Sequence, residues 1–163
     1  MPESTVILSL GSNLGNRLLM LERAIRALRA SGFSILEKSR VWETAPWGVT
    51  DQPRFLNMCL SASVDLNPEQ MLETVKAIET SLGRTLCERW GPREIDIDII
   101  LLGDTVIDLP SLKVPHPLFH KRAFVLVPLT EIAPQIVHPL LKKTAAELLA
   151  CLPEEQMNWI IKI

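Results

Sequence analysis

The run Arg93-Glu94-Ile95-Asp96-Ile97-Asp98-Ile99 constrains the fold more than any other stretch of the chain. Strict alternation of isoleucine with charge has the two-residue period of a strand, whose side chains point to opposite faces in turn. A helix would scatter the same residues around its circumference. Ile95, Ile97 and Ile99 are therefore expected to face a core. Asp96 and Asp98 share the other face, about 7 Å apart. The strand is predicted over Ile95 to Leu102, turning at Gly103-Asp104, with Thr105 to Ile107 pairing back as a hairpin.

The rest of the chain supplies partners for this strand. Thr5 to Leu10 reads as a strand that stops at Gly11-Ser12-Asn13, and Leu18, Leu21, Ile25 and Leu28 then recur at helical spacing until Ser31-Gly32. Phe33 to Trp42 is predicted as a second strand and Phe55 to Leu66 as a third. Between them, Glu43 to Arg54 holds two prolines and a glycine without any period. Trp47 in the middle of it suggests a binding loop. Asn67-Pro68-Glu69-Gln70 supplies an N-cap, a first-turn proline and a capping glutamine for a helix that Gly83 closes. Phe119 to Glu131 carries a helical stripe interrupted by Pro128, and Thr144 to Leu152 a short terminal helix.

Strand-helix-strand-strand-helix-strand, with hairpins as well as crossovers, predicts an α+β fold of the ferredoxin-like kind. Its mainly antiparallel sheet is flanked by helices in a three-layer sandwich. No repeat or linker divides the chain, so residues 1–163 are read as one domain, and 163 residues at 47% hydrophobic are enough to fill one core.

A formal charge of -2 gives no overall field for a polyanion, so nucleic acid is not an expected partner. No apolar run reaches the roughly 18 residues of a membrane span, and the N-terminus has no leader pattern. Cys59, Cys87 and Cys151 are widely spaced and odd in number, which suits a reducing cytoplasm.

Two carboxylates on one strand face can hold magnesium, which completes its shell with water and substrate phosphates. A plain solvated strand face is the alternative, since the repulsion costs only about 1 kcal/mol at intermediate screening. Arg84, Arg89 and Arg93 tip the balance, because guanidinium forks match phosphate oxygens. Acids for metal beside bases for phosphate point to phosphoryl transfer. Two competing readings remain at this level. One is a magnesium-dependent phosphotransferase or nuclease of another kind, and the other an RNA-binding module stacking bases on Trp90. Gly11 to Asn16 lacks the phosphate-loop pattern, and nothing like HExxH surrounds His116 and His120. His116 and Arg122 are better placed to meet phosphates than zinc.

Four segments together give a resemblance: Leu10-Gly11-Ser12-Asn13-Leu14-Gly15, Asp51-Gln52-Pro53-Arg54-Phe55-Leu56-Asn57, Arg89 to Asp98, and Val114-Pro115-His116. In order and spacing they resemble the 6-hydroxymethyl-7,8-dihydropterin pyrophosphokinases of folate biosynthesis, over almost the whole chain. That resemblance implies a monomeric enzyme that moves pyrophosphate from ATP to the pterin hydroxymethyl group and releases AMP. Asp96 and Asp98 would bind two Mg2+ ions, and Arg84 and Arg93 would neutralise charge on the transferring phosphates. Glu79, Arg84, Arg89, Trp90, Ile99, His116 and Arg122 would meet the nucleotide. The pterin would lie between Phe55 and Phe124, read by Asn57 and by the backbone of Thr44, Pro46 and Trp47, with Trp90 closing over it. One stretch departs from the pattern: Thr85-Leu86-Cys87-Glu88 stands where the family often has a longer and more basic loop.

Overall fold

The computed structural model describes residues 4–44, 53–83, 94–158 and 160–162. Its centre is a six-stranded antiparallel sheet. β1 (Ser4–Ser12) lies between β5 (Asp96–Leu102) and β4 (Phe55–Val64). On the far side of β4 run β2 (Ser34–Lys38) and β3 (Trp42–Thr44), and β8 (Ile160–Lys162) adds to β3.

Register sorts the side chains into two cores. Leu10 opposes both Met58 and Ile97, and Leu8 opposes Leu60 and Ile99. This face is covered by α1 (Arg17–Ala30) and α2 (Pro68–Ser81) through Leu21, Ile25, Leu28, Met71, Val75 and Ile78. The opposite face carries Ile7, Cys59, Ile100 and Leu101 against α3 (Ala123–Ile132) and α4 (Ala145–Ala150). The result is the expected three-layer α+β sandwich. A register shift between Ile7 and Leu8 lets Ile100 and Leu101 turn to the same side, so β5 feeds both cores.

Local chemistry starts the helices where the sequence indicates. Asn16 accepts from Leu19 N at 3.1 Å to cap α1. Asn67 and Gln70 form the reciprocal capping box of α2, and Thr144 and Glu147 that of α4. Pro128 sits inside α3 rather than ending it. It cannot donate to the carbonyl four residues back, but burial of Val125, Leu126 and Leu129 outweighs the lost bond.

Four expectations need correction. The predicted strand Phe33 to Trp42 is split into β2 and β3. At the break the Ser39 hydroxyl accepts from Cys59 N (2.9 Å) and donates to the Arg40 carbonyl (2.8 Å), replacing a ladder bond with a side chain. Glu43 and Thr44, predicted in the loop, belong to β3. Thr105 to Ile107 does not pair back on β5; β6 (Ile107–Asp108) pairs with β7 (Lys113–Val114) instead. The Phe119 to Glu131 stripe opens with a 3-10 turn, Phe119–Lys121, before α3 begins. After α4, a short α5 (Glu154–Met157) leads into β8, and neither element has a signal in the sequence.

Candidate active site

The polar positions of the α3-side sheet face form a transverse row. Gly11 of β1 opposes Asp96 of β5 on one side and Asn57 of β4 on the other, and Asn57 opposes Trp42 of β3. One step along, Ser9 lies between Asp98 and Cys59. The alternation read from the sequence therefore places both aspartates on one face, half-buried, while Ile95, Ile97 and Ile99 are buried on the other.

At the β4 end of the row, Asn57 is 3% exposed and donates its amide nitrogen to the Thr44 hydroxyl, itself 2% exposed. Gly11 makes room for this pair: a Cβ there would meet Asn57 Oδ1 at 2.7 Å. Half-buried Phe55 opposes Thr44 in the register. The N-terminus of α3 packs over the neighbouring row, where Cys59 Sγ donates to the Val125 carbonyl at 3.5 Å. Partly buried Phe124 lies beside it, with the Arg122 guanidinium 5.5 Å from its ring centre.

At the β5 end, a cleft of about 320 Å3 is lined by Glu79, Lys76 and Val75 of α2, by Asp96 to Ile99, by the β6–β7 hairpin and by His116. β5 closes one end of the sheet, so its outward backbone groups need other partners. Glu79, 3% exposed, accepts from Ile97 N at 2.8 Å, and His116 N donates to the Ile100 carbonyl at 2.9 Å. Between these two capped positions lies Ile99, whose backbone faces outward by the same alternation as Ile97.

Burial, with the Arg122 charge adding to it and Asp96 opposing, pushes the His116 imidazole down to about 4. At neutral pH the ring is uncharged. Its Nδ1 accepts from Leu118 N at 3.2 Å, which leaves the proton on Nε2. Burial also lowers His120 and His138. Burial raises the Cys59 thiol far above its usual range, so Cys59 is a packing residue and no nucleophile.

The donor set suits magnesium better than a tighter-binding metal. Among the described residues no group of three or more His, Cys, Asp or Glu side chains converges on one point. Two half-exposed carboxylates beside an open cleft fit an ion that keeps waters and phosphate oxygens in its shell.

Of the predicted site residues, the structure gathers Glu79, Asp96, Asp98, Ile99 and His116 around the cleft. Thr44, Asn57 and Phe55 cluster next to Gly11, and Arg122 pairs with Phe124. Arg84, Arg89, Trp90, Arg93, Pro46 and Trp47 lie outside the described residues. Sequence reasoning missed the spacing role of Gly11, whose only signal was its place in Gly-Ser-Asn, and the cleft-lining Lys76 and Leu112. Among the described residues no helix is long and apolar enough to cross a membrane.

Residues 7–134 match the family described as 7,8-dihydro-6-hydroxymethylpterin-pyrophosphokinase (HPPK). The chain is 45% identical over 145 residues to the 2-amino-4-hydroxy-6-hydroxymethyldihydropteridine pyrophosphokinase of Aquifex aeolicus, covering 88% of this chain and 89% of that one. With the Bacillus subtilis protein of the same name it shares 42% identity over 130 residues, 79% of this chain and 78% of that one. It is also 42% identical over 130 residues to the "Folate synthesis bifunctional protein, mitochondrial" of Pisum sativum, covering 80% of this chain and 25% of that one. Among solved structures, the fold matches Plasmodium falciparum HPPK-DHPS with pteroate at a TM-score of 0.77 and 18% identity. That match covers 91% of this chain, which spans only 44% of the longer Plasmodium chain.

Proposed function

The chain belongs to the 7,8-dihydro-6-hydroxymethylpterin-pyrophosphokinase family, and from that membership we propose which of its side chains carry the reaction. The activity is that of a diphosphotransferase of folate biosynthesis. Pyrophosphate passes from ATP to the hydroxymethyl group of 6-hydroxymethyl-7,8-dihydropterin, and AMP leaves.

The observation that carries the assignment of residues is the transverse row Asp96–Gly11–Asn57. It puts a pair of carboxylates and a buried carboxamide on one continuous face, with only a glycine between them. Asn57, oriented by Thr44, reads the amide and amine edge of the pterin, and Phe55 and Phe124 take its flat faces by offset stacking. The backbone of Thr44, Pro46 and Trp47 completes the reading, with Trp90 over the ring. Asp96 and Asp98 hold two Mg2+ ions. Bound there, magnesium supplies charge neutralisation for the phosphates and lowers the pKa of the attacking hydroxyl.

The nucleotide occupies the cleft at the β5 edge. Ile99 offers outward backbone groups, Glu79 keeps β5 in place beside them, and neutral His116 donates from Nε2 to a phosphate or ribose oxygen. Arg84, Arg89, Arg93 and Arg122 balance the negative charge that builds on the α–β bridging oxygen as it leaves with AMP. No side chain is assigned as general base. Catalysis is then chiefly positioning and electrostatics, with the hydroxyl oxygen aligned on the β-phosphorus.

The family pattern supports a monomer. The free thiols Cys59 and Cys151 support a reducing, cytoplasmic setting. Incubation with ATP, Mg2+ and the pterin, followed by chromatography of the nucleotides, tests the whole reading. Pterin- and magnesium-dependent AMP supports it, whereas ADP makes the protein an ordinary kinase.

A further inference from the structure

We propose that Arg17 is a positioning residue for the pterin pocket, tying together the two chain segments that deliver Thr44 and Asn57. The inference rests on the reading of those two residues as pterin contacts.

Arg17 Nη1 carries two hydrogens and gives one to each segment. It donates to Glu43 Oε2 at 3.1 Å and to the Arg54 carbonyl at 2.9 Å. Glu43 immediately precedes Thr44, and Arg54 stands three residues before Asn57. A second tie comes from the same β1–α1 connection, where Asn13 Nδ2 donates to the Pro53 carbonyl at 3.0 Å.

The register shows that Arg17 works from behind. Glu43 opposes Leu56, which faces the α1–α2 core, whereas Thr44 and Asn57 meet on the other face. Arg17 therefore acts on the pocket through backbone and never through the ligand. The need for a tie follows from β3 itself, a three-residue strand paired over three residues with β4 and over three with the equally short β8. So short a strand has little hold of its own.

The location of the charge supports a dedicated role. Arg17 is the first residue of α1, and no acidic residue occupies that first turn. A cation there opposes the helix dipole, and capping by Asn16 does not remove that cost. The Arg17 and Glu43 side chains keep 31% and 25% exposure, so the pair is partly screened and its effect on folding is small. Its effect on the separation of β3 and β4 at the pocket is direct.

The test uses Arg17→Met, Glu43→Gln, the double variant and Asn57→Ala. Pterin affinity is measured with Mg2+ and a non-hydrolysable ATP analogue, the analogue's affinity alone, and thermal stability. Arg17→Met is expected to weaken pterin binding about fivefold and to leave analogue binding within about twofold. The double variant is expected to be no worse than Arg17→Met, since one nitrogen serves both contacts. If Asn57→Ala weakens pterin binding but Arg17→Met does not, or if both ligands weaken equally with a matching loss of stability, the positioning role is wrong. If Asn57→Ala leaves pterin affinity unchanged, the pocket itself is misassigned and the inference falls with it.

Discussion

Gly11 and Asn57 are cross-strand partners, and the missing side chain of one is the space occupied by the carboxamide of the other. Gly11→Ala puts a Cβ 2.7 Å from Asn57 Oδ1, so the carboxamide must turn and give up its bond to Thr44. The expected result is about a tenfold or greater loss of pterin affinity, with a fall in melting temperature of only a few degrees. Calorimetric titration and a thermal melt on the same variant check it. Unchanged affinity would show that Asn57 is not a pterin contact.

Asp98→Asn keeps the shape of a half-exposed side chain and removes its charge. Turnover is expected to fall about a hundredfold or more, while the melting temperature moves by about 2 °C or less. Asp96→Asn follows the same pattern. Equal losses of stability and turnover would return both residues to an ordinary polar strand face.

Glu79 tests the edge of β5. Glu79→Ala strands the buried Ile97 N–H and is expected to cost about 1–3 kcal/mol of stability, read from urea denaturation. Glu79→Gln keeps an acceptor oxygen and is expected to cost less than half of that.

His116 gives a signed pH effect. Its folded value of about 4 lies below the ordinary 6.5, so as pH falls through 6.5 the unfolded chain takes a proton that the folded ring refuses. Stability linked to this residue is present above 6.5 and is lost progressively down to about 4. His116→Asn, which keeps an acceptor for Leu118 N, is expected to lose less stability than the parent between those two values. Parallel curves for the two proteins would rule out the shift.

Particular residues show what was legible. Ile95 to Asp98 announced a strand and its two faces because the two-residue period is local, and the Asn67–Gln70 box announced α2 because a cap is set by four consecutive residues. The break at Ser39 was hidden, since it depends on a hydroxyl substituting for a backbone group across to Cys59. β6, β7 and β8 are too short to show a period. The contacts of Arg17 reach 26 and 37 residues along the chain, and no local pattern encodes partners at that separation. In the site, Asp96 and Asp98 stood out through their spacing. Thr44 and Asn57 gained meaning only from the fold that pairs them.

The terminal position of β5 in the sheet has a colloidal side as well. A long apolar strand with free outward groups is a template on which a second molecule can add a strand. Here the carboxylates of Asp96 and Asp98, the Glu79 oxygen on Ile97 and the His116 amide on Ile100 together make that border unattractive to another chain. Variants that neutralise these groups are thus expected to precipitate more readily at high concentration, whatever they do to turnover.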